Sequence, residues 1–252
     1  MILELFSGSG QFSTACRRRR ALRHPAFEFD FEHDPSHDLC LRAVQQTVRG
    51  WLRGRLVCGV WLGTPCTSMT KARNIPGGPP PLRDALHVLG LPDLRPSDAA
   101  KVEIGNRLAT FSACIFLLAR SLNIPVALEN PSTSWLWSLP CIQRIMQLNN
   151  VQITVVDYCA YGKPWRKRTT IMSCHVPTER FTNHVCHGRG TCEYSGRPHV
   201  QLKGQDHTGK FLTKIAEPYP SSLSSQLAAA FSDGIASKTL NALAVRTSLA
   251  TI

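Results

Sequence analysis

The sequence has few acidic residues, no internal repeat, no Cys-x-x-Cys pair and no long hydrophobic run. Because no run of about 18 apolar residues occurs, we expect no membrane-spanning helix. The first residues also lack the basic, apolar and small-residue pattern of a secretion signal, so the ten cysteines are predicted to be reduced thiols. Four of them lie in apolar patterns and are interpreted as small core residues, namely Cys16, Cys58, Cys114 and Cys159.

The shortage of acid leaves a strongly basic chain. Seventeen Asp and Glu residues stand against 29 Lys and Arg residues, which gives a formal net charge of +12. This balance suits a polyanionic partner, because cationic side chains that neutralise phosphates release counterions. A basic protein without such a partner is the alternative that charge alone leaves open. Hydrophobic residues make up 43% of the chain, which is enough for a buried core.

Short apolar strands alternate with helical stretches along most of the chain. The strands are predicted at residues 2–6, 27–31, 56–62, 125–129, 151–158 and 169–172, with a short one near 38–41. The helices are predicted at residues 11–22, 42–53, 99–122, 134–148 and 222–234. This order predicts an α/β fold with a doubly wound, mostly parallel sheet.

A glycine turn follows the first strand. The segment Phe6-Ser7-Gly8-Ser9-Gly10 places two glycines between a strand and a helix, which lets the backbone approach a ligand closely. An acid at the end of the second strand would bind the ribose of a nucleotide-type cofactor, and Asp30 and Glu32 both lie about 20 residues on. Asp30 is the better placed, and a register shift of one residue would exchange them. A simple turn with two solvated acids is the alternative.

Two further strands end in reactive side chains. Pro65-Cys66 follows the apolar run of residues 56–62, so the turn presents a thiol at the carboxyl edge of the sheet, where open α/β folds bind ligands. Glu129 ends the strand of residues 125–129 in a carboxylate. A basic segment, Tyr161-Gly162-Lys163-Pro164-Trp165-Arg166-Lys167-Arg168, comes later.

These four segments, in this order, resemble the DNA cytosine-5 methyltransferases over residues 2–172. The resemblance implies a Rossmann-like class I methyltransferase fold and S-adenosylmethionine as the methyl donor. The cofactor-binding residues it implies are Phe6, Ser7, Gly8, Ser9, Gly10, Asp30, Glu32 and Pro65. The catalytic residues it implies are Cys66 as the nucleophile, Glu129 as the acid, and Arg166 and Arg168 as the pair that holds the cytosine.

Some positions depart from the family pattern. Thr67 follows the cysteine where glutamine is common, Pro131 stands in place of valine, and the glutamine before the arginine pair is missing. These departures indicate a divergent, compact branch, such as the phage- or retroelement-associated enzymes. They leave the orientation of the cytosine by the arginine segment less well specified.

A cytosine must leave the duplex to reach a buried thiol, so the resemblance implies base flipping from double-stranded DNA. The residues expected to touch the nucleic acid are Ser68, Lys71, Arg73 and Lys163, and a solvated loop is the equal alternative. The proline-rich residues 74–97 are a candidate lid. Cytosine in RNA is an alternative substrate. A catalytically silent nucleic-acid-binding module is the other alternative, and the intact Cys66, Glu129 and Arg166 argue against it.

Residues 173–216 are polar and rich in Cys and His. Three thiols and an imidazole suit a tetrahedral structural zinc ion, and the expected ligands are Cys174, Cys186, Cys192 and His199. Reduced cysteines in a loop are the alternative. We expect a catalytic domain over 1–172, a target-recognition insert over 173–216 and a C-terminal helix over 217–252 that returns to the catalytic domain. The sequence decides neither oligomeric state nor localisation, which is nuclear for a eukaryotic host and cytoplasmic for a bacterial or viral one.

Overall fold

A six-stranded sheet runs through the centre of the computed structural model, which describes residues 1–74, 79–182, 184–205, 207–208 and 211–249. The strand order is β2-β1-β3-β4-β6-β5. The strands are β1 (Ile2–Leu5), β2 (Ala26–Phe29), β3 (Gly59–Leu62), β4 (Val126–Pro131), β5 (Val151–Asp157) and β6 (Arg168–Cys174). The helices are α1 (Gln11–Arg18), α2 (Arg42–Arg53), α3 (Pro96–Ser121), α4 (Pro140–Met146) and α5 (Ser221–Leu249).

The sheet is mostly parallel and changes winding direction at β1. Strand β1 pairs in parallel with β2 on one side and with β3 on the other, and β3 pairs in parallel with β4. The chain therefore moves outward on one side of β1 and then outward on the other, which opens a crevice at the carboxyl ends of β1 and β3. The predicted doubly wound, Rossmann-like fold is confirmed.

Strand β6 is antiparallel to both of its neighbours. Residues 158–167 connect β5 to β6, and this connection is too short for a crossover helix, so the chain turns back on itself. The turn uses a short 3-10 helix, Tyr158–Tyr161, and ends at Gly162 in the left-handed region. The basic segment therefore enters the sheet at the end where β4 finishes.

Helices cover both faces of the sheet. Alternate side chains of β1 point to opposite faces, so Leu3 joins a core with α2, α3 and α4, while Ile2 joins a core with α1 and α5. Each fully buried apolar side chain of this kind contributes about 1.5–3 kcal/mol. By length and composition α3 is a candidate membrane span, yet 56% of its most apolar window is buried within the fold, as in a core helix.

The largest differences from the sequence-based prediction concern three helices and one predicted strand, and the other elements shift by a few residues at their ends. Proline at 140 forces Leu139 into an extended conformation, so the predicted helix over 134–148 splits into a 3-10 turn, Trp135–Ser138, and α4. Helix α1 ends at Arg18 and α5 continues to Leu249. No strand forms at residues 38–41, where a 3-10 turn, Pro35–His37, leads into α2 instead.

Candidate active site

The glycine turn after β1 has a left-handed backbone at three positions. Phe6, Gly8 and Gly10 have φ values of 59°, 50° and 61°, and Phe6 adopts this conformation although it carries a side chain. A Cβ added to Gly8 would meet nothing within 4 Å, so the turn is open on that side. One added to Gly10 would strike the Glu28 carboxylate. Ser7 is buried and Ser9 is exposed. The turn therefore leaves backbone accessible to a ligand.

Asp30 lies directly against this turn. Its carboxylate accepts hydrogen bonds from the backbone N–H of Gly8 at 2.8 Å and of Glu32 at 2.9 Å. A carboxylate has about four acceptor positions, so Asp30 retains capacity for the hydroxyl groups of a ribose. The Glu32 side chain is exposed. The open turn and Asp30 together fit the nucleoside part of S-adenosylmethionine.

The loop that carries Cys66 is fixed at both ends. At its start a Cβ on Gly63 would lie 2.8 Å from the Phe6 carbonyl oxygen, so only glycine allows β3 and the glycine turn to approach this closely. The Asn130 amide donates to the Thr64 carbonyl at 2.6 Å, and the Thr64 hydroxyl donates to Ser112 at 2.8 Å. Pro65 and Cys66 follow these anchors directly and are partly buried.

A buried arginine supports the far end of the same loop. Arg83 is 1% exposed, and its guanidinium donates to the carbonyl and hydroxyl oxygens of Ser68 at 2.9 and 3.2 Å. It also donates to the carbonyls of Val88 and Val102 and to the Asn106 side chain. Burial lowers the pKa of Arg83 to about 10, so it stays charged at neutral pH. No sequence pattern marked Arg83, because a single arginine in a proline-rich loop has the same signature as a solvated one.

Ser68 was expected to touch nucleic acid, and the structure corrects this. Its side chain is buried against Gly105 and bonded to Arg83, so its hydroxyl already has a protein partner. Arg73 donates to the Pro80 carbonyl at 2.9 Å. Lys71 lies over the Trp135 ring at 4.0 Å and Lys163 over the Trp165 ring at 5.6 Å.

Residues 75–78 of the candidate lid lie outside the described residues.

Glu129 lies within β4 and is buried. Its Oε2 accepts a hydrogen bond from the Tyr219 hydroxyl at 3.0 Å. Its Oε1 is also buried, and the described residues give it no hydrogen bond of normal geometry. Burial raises the pKa of the carboxyl, while the Lys167 ammonium group and the hydroxyl groups of Tyr219 and Thr169 oppose the shift. A buried acceptor that lacks a well-formed protein hydrogen bond is a position for a donor from a ligand.

The Cys66 thiol shares this environment. Burial raises the pKa of Cys66, the Lys167 ammonium lowers it, and the carboxylates of Glu129 and Glu217 raise it further. The thiol is therefore close enough to Lys167 and Glu129 for both charges to act on it. Protonation of Glu129 would remove one opposing charge and favour the thiolate.

Lys167, rather than the arginines beside it, faces the site. Its Nζ donates to the Ala216 carbonyl at 3.1 Å and to the Tyr158 hydroxyl at 3.4 Å, and it lies 4.8 Å from the centre of the Tyr158 ring. Successive side chains of an extended chain point to opposite sides. The alternation was readable in the sequence, but the resemblance directed attention to Arg166 and Arg168.

The assignment of Arg166 and Arg168 to the cytosine site is therefore corrected. Arg166 donates to the Gly188 carbonyl at 3.1 Å. Arg168 makes a two-point ion pair with the buried Asp157, with N···O distances of 3.0 and 2.7 Å, and also donates to the Cys186 carbonyl at 3.1 Å. Both arginines fasten the Cys/His-rich segment to the sheet instead of reaching the thiol.

Tyr219 closes the site from the opposite end of the chain. Its hydroxyl accepts from the Trp61 indole at 3.2 Å and donates to Glu129. The ring packs edge-on against Trp61 with centroids 5.5 Å apart. Burial raises the pKa of Tyr219 well above its usual value, so it remains a hydrogen-bond donor at all physiological pH values. The sequence analysis did not include it among the site residues.

The Cys/His cluster forms, but with one different member. Its donor atoms all lie within 4.8 Å of one another, and they belong to Cys159, Cys186, Cys192 and His199. Cys174, which was expected here, lies in β6, where it pairs with Val126 and Val151 in the apolar core. Cys159 had been interpreted as a core residue, because it directly follows an apolar strand.

No protein-family model and no curated protein matches this chain. Among solved structures, the Entamoeba histolytica methyltransferase EhMeth is similar, with a TM-score of 0.38 and 13% sequence identity. The similarity covers 71% of this chain and 53% of EhMeth, so the chain spans about half the length of that protein. The function of the chain is therefore inferred from its own site residues.

Proposed function

We propose that this protein is an S-adenosylmethionine-dependent DNA cytosine-5 methyltransferase. The observation that supports this most directly is the shared environment of the Cys66 thiol and the buried Glu129 carboxyl, whose Oε1 has no hydrogen bond of normal geometry from the described residues. Both lie near the carboxyl edge of the sheet, with Cys66 after β3 and Glu129 in the neighbouring β4, beside the crevice that holds the glycine turn. A nucleophile, an acid and a cofactor turn in one crevice are the groups that this reaction needs.

The thiolate of Cys66 would attack C6 of the cytosine, forming a sulfur–carbon bond and pushing the electrons of the C5–C6 double bond into the ring. Glu129, whose pKa is raised by burial, would donate a proton to N3 and so neutralise the charge that develops there. Lys167 would stabilise the thiolate before the attack. The ring carbon C5 is then nucleophilic.

S-adenosylmethionine, which the glycine turn and Asp30 would hold, would supply an electrophilic methyl group to C5, with S-adenosylhomocysteine as the leaving product. A base, such as a water molecule, would remove the proton from C5 and restore the double bond. The bond from C6 to Cys66 would break, and Glu129 would take back the proton from N3. The protein returns to its starting state, and the cytosine gains one methyl group in place of one hydrogen.

The substrate is proposed to be a cytosine turned out of duplex DNA. The formal charge of +12 favours a polyanion, and a partly buried thiol requires the base to leave the stack. Of the four residues that the sequence analysis expected to touch nucleic acid, Lys71 and Lys163 remain candidates for phosphate contacts. Each lies over an indole ring, which holds the ammonium group in place while leaving hydrogens for an anion.

The decisive experiment is trapping on a duplex that contains 5-fluorocytosine, in the presence of S-adenosylmethionine. Fluorine at C5 cannot leave as a proton does, so the Cys66–C6 bond persists. Wild-type protein and Cys114→Ala, which changes an exposed cysteine on α3, should form an adduct that survives denaturation. Cys66→Ala should form none.

Each other result has a defined meaning. An adduct with 5-fluorocytosine in RNA but not in DNA would replace the substrate by RNA and keep the chemistry. Binding of DNA without any adduct from wild-type protein would reject the catalytic proposal and leave a binding module. An adduct that persists in Cys66→Ala would assign the nucleophile to another cysteine.

A further inference from the structure

The segment from His184 to Val200 is ordered with almost no apolar burial. Among these seventeen positions, all of them described, only the side chains of Cys186 and Cys192 are buried. Its large apolar side chains, Tyr194 and Val200, are exposed. Fixing the backbone of so many residues costs conformational entropy that this little burial cannot offset. Arg166 and Arg168 bind only its Gly188 and Cys186 carbonyls, so a further interaction is expected to hold the rest of the segment.

The two buried cysteines meet two residues that suit one metal ion. The three thiols of Cys159, Cys186 and Cys192 form a cluster of their own with no aliphatic or aromatic member. His199 turns its ring toward them, with Nε2 at 3.6 Å from the Cys186 sulfur. We propose that a single structural zinc ion is bound by the four residues Cys159, Cys186, Cys192 and His199.

The distances agree with tetrahedral zinc. Zinc–sulfur bonds of about 2.3 Å and zinc–nitrogen bonds of about 2.0 Å place the donor atoms of such a site roughly 3.5–3.8 Å apart. All four donor atoms lie within 4.8 Å of one another, so shifts of less than about one bond length bring them to a common centre. Three thiolates and one imidazole are the ligands that zinc prefers over calcium or magnesium.

The surroundings orient these ligands. The Cys186 backbone N–H donates to the buried Asp157 carboxylate at 2.8 Å, and Arg168 neutralises that carboxylate. Around Cys192 the chain closes a tight loop, with the Cys192 N–H on the Arg197 carbonyl and the Gly196 N–H on the Cys192 carbonyl, both at 2.8 Å. Such supporting hydrogen bonds hold metal ligands in place. All four protein positions are filled, which is the pattern of a structural site rather than a catalytic one.

The ion would connect two parts of the chain that are far apart in sequence. Cys159 belongs to the connection between β5 and β6, while the other three ligands belong to the segment 184–200. Arg166 and Arg168 bind carbonyls of the same segment, and Lys167 lies between them. Loss of the ion would therefore loosen the start of β6, where Lys167 reaches the candidate active site.

The test is the metal content of the full chain, purified without a metal-binding tag and under reducing conditions. We expect one zinc ion per chain in wild-type protein. Cys159→Ala and His199→Ala should lose it. Their matched controls, Cys174→Ala in β6 and the exposed His187→Ala in the same segment, should keep it. Replacement by Co²⁺ should give the visible spectrum of a tetrahedral site with thiolate ligands.

A second readout keeps the test informative if a variant folds poorly. Removal of the ion from wild-type protein by a chelator should lower the Tm and increase hydrogen exchange in residues 184–200 more than in β1 and β3. The proposal is overturned if reduced wild-type protein holds and takes up no zinc or cobalt. It is equally overturned if Cys174→Ala loses the ion while Cys159→Ala keeps it, or if two cluster cysteines form a stable disulfide in the isolated protein.

Discussion

The carboxyl edge of β1, β3 and β4 and the segment 184–200 hold their functional side chains in opposite ways. At the sheet edge, Cys66 and Glu129 are attached to strands whose apolar side chains are buried on both faces, and polar contacts such as Asn130 to Thr64 only adjust them. In the segment 184–200 polar groups dominate instead. Few side chains are buried there, and four donor atoms from the segment and from Cys159 lie close together. The site at the sheet edge should therefore tolerate the loss of one polar contact. The Cys/His cluster, in contrast, depends on each of its four side chains.

The largest expected effect is that of Cys66→Ala, which should abolish the reaction at the sheet edge without unfolding the protein. Cys66→Ala should lower methyl transfer by on the order of 10⁴-fold or more, because the covalent route is lost. The free energy of unfolding should change little, since the thiol is only partly buried and other residues anchor the loop. Rates under saturating conditions and urea denaturation measure the two effects. A large loss of stability would show that Cys66 supports the fold.

Among the described residues, Arg83 is the one polar side chain near the sheet edge whose loss should strongly destabilise the fold, because it is buried and has many hydrogen-bond partners. Arg83→Leu should lower the free energy of unfolding by about 4 kcal/mol, the upper end for one substitution, since several buried acceptors lose their donor. Urea denaturation measures this, with the exposed, ion-paired Arg107→Leu on α3 as control. Equal stability of the two variants would contradict the buried network.

Glu4 gives the sheet a pH dependence. It lies in β1, and burial raises its pKa to about 7 from an ordinary value of 4.5, although hydrogen bonds from Ser13 oppose the shift. The folded state then holds a proton that the unfolded state has lost, so stability falls as pH rises from about 4.5 to about 7, by about 3 kcal/mol. Thermal denaturation between pH 4 and 8 should show the fall in wild-type protein and a flatter profile in Glu4→Gln. A similar slope in both proteins would assign the dependence to another group.

The smallest expected effect tests which side chains of the basic segment point toward the candidate active site. Lys167→Met removes the charge that lowers the pKa of Cys66, so the rate of methyl transfer should fall about 10- to 100-fold at neutral pH and recover partly at higher pH. Arg166→Met should shift the pH profile much less, because its guanidinium binds the Gly188 carbonyl. Profiles of rate against pH for the two variants make the comparison. A larger shift for Arg166→Met would restore the family assignment of the arginines.

The same comparison explains which parts of the fold and of the candidate site could be predicted from the sequence. The doubly wound sheet and the positions of the glycine turn, Asp30, Cys66 and Glu129 were predictable because each of these residues lies next to a strand end, and strand ends of a parallel sheet share one edge. The strand order itself was not predicted. Lys167 was missed because the family resemblance directed attention to Arg166 and Arg168, although the alternation of an extended chain places its side chain on the opposite side from theirs. Cys159 and Tyr219 were missed because contacts across 27 and 90 residues leave no local pattern; Cys159 meets Cys186 and Tyr219 meets Glu129.

The hydrogen bond from Tyr219 to Glu129 also sets an order of events during synthesis. Glu129, Cys66 and Lys167 leave the ribosome well before Tyr219, and until then the indole of Trp61 and the Glu129 Oε2 lack the phenol that joins them. A nascent chain that carries the nucleophile, the acid and the glycine turn would hold an incompletely bonded crevice. Tyr219 thus completes the crevice only after the residues that carry its reactive groups have been synthesised.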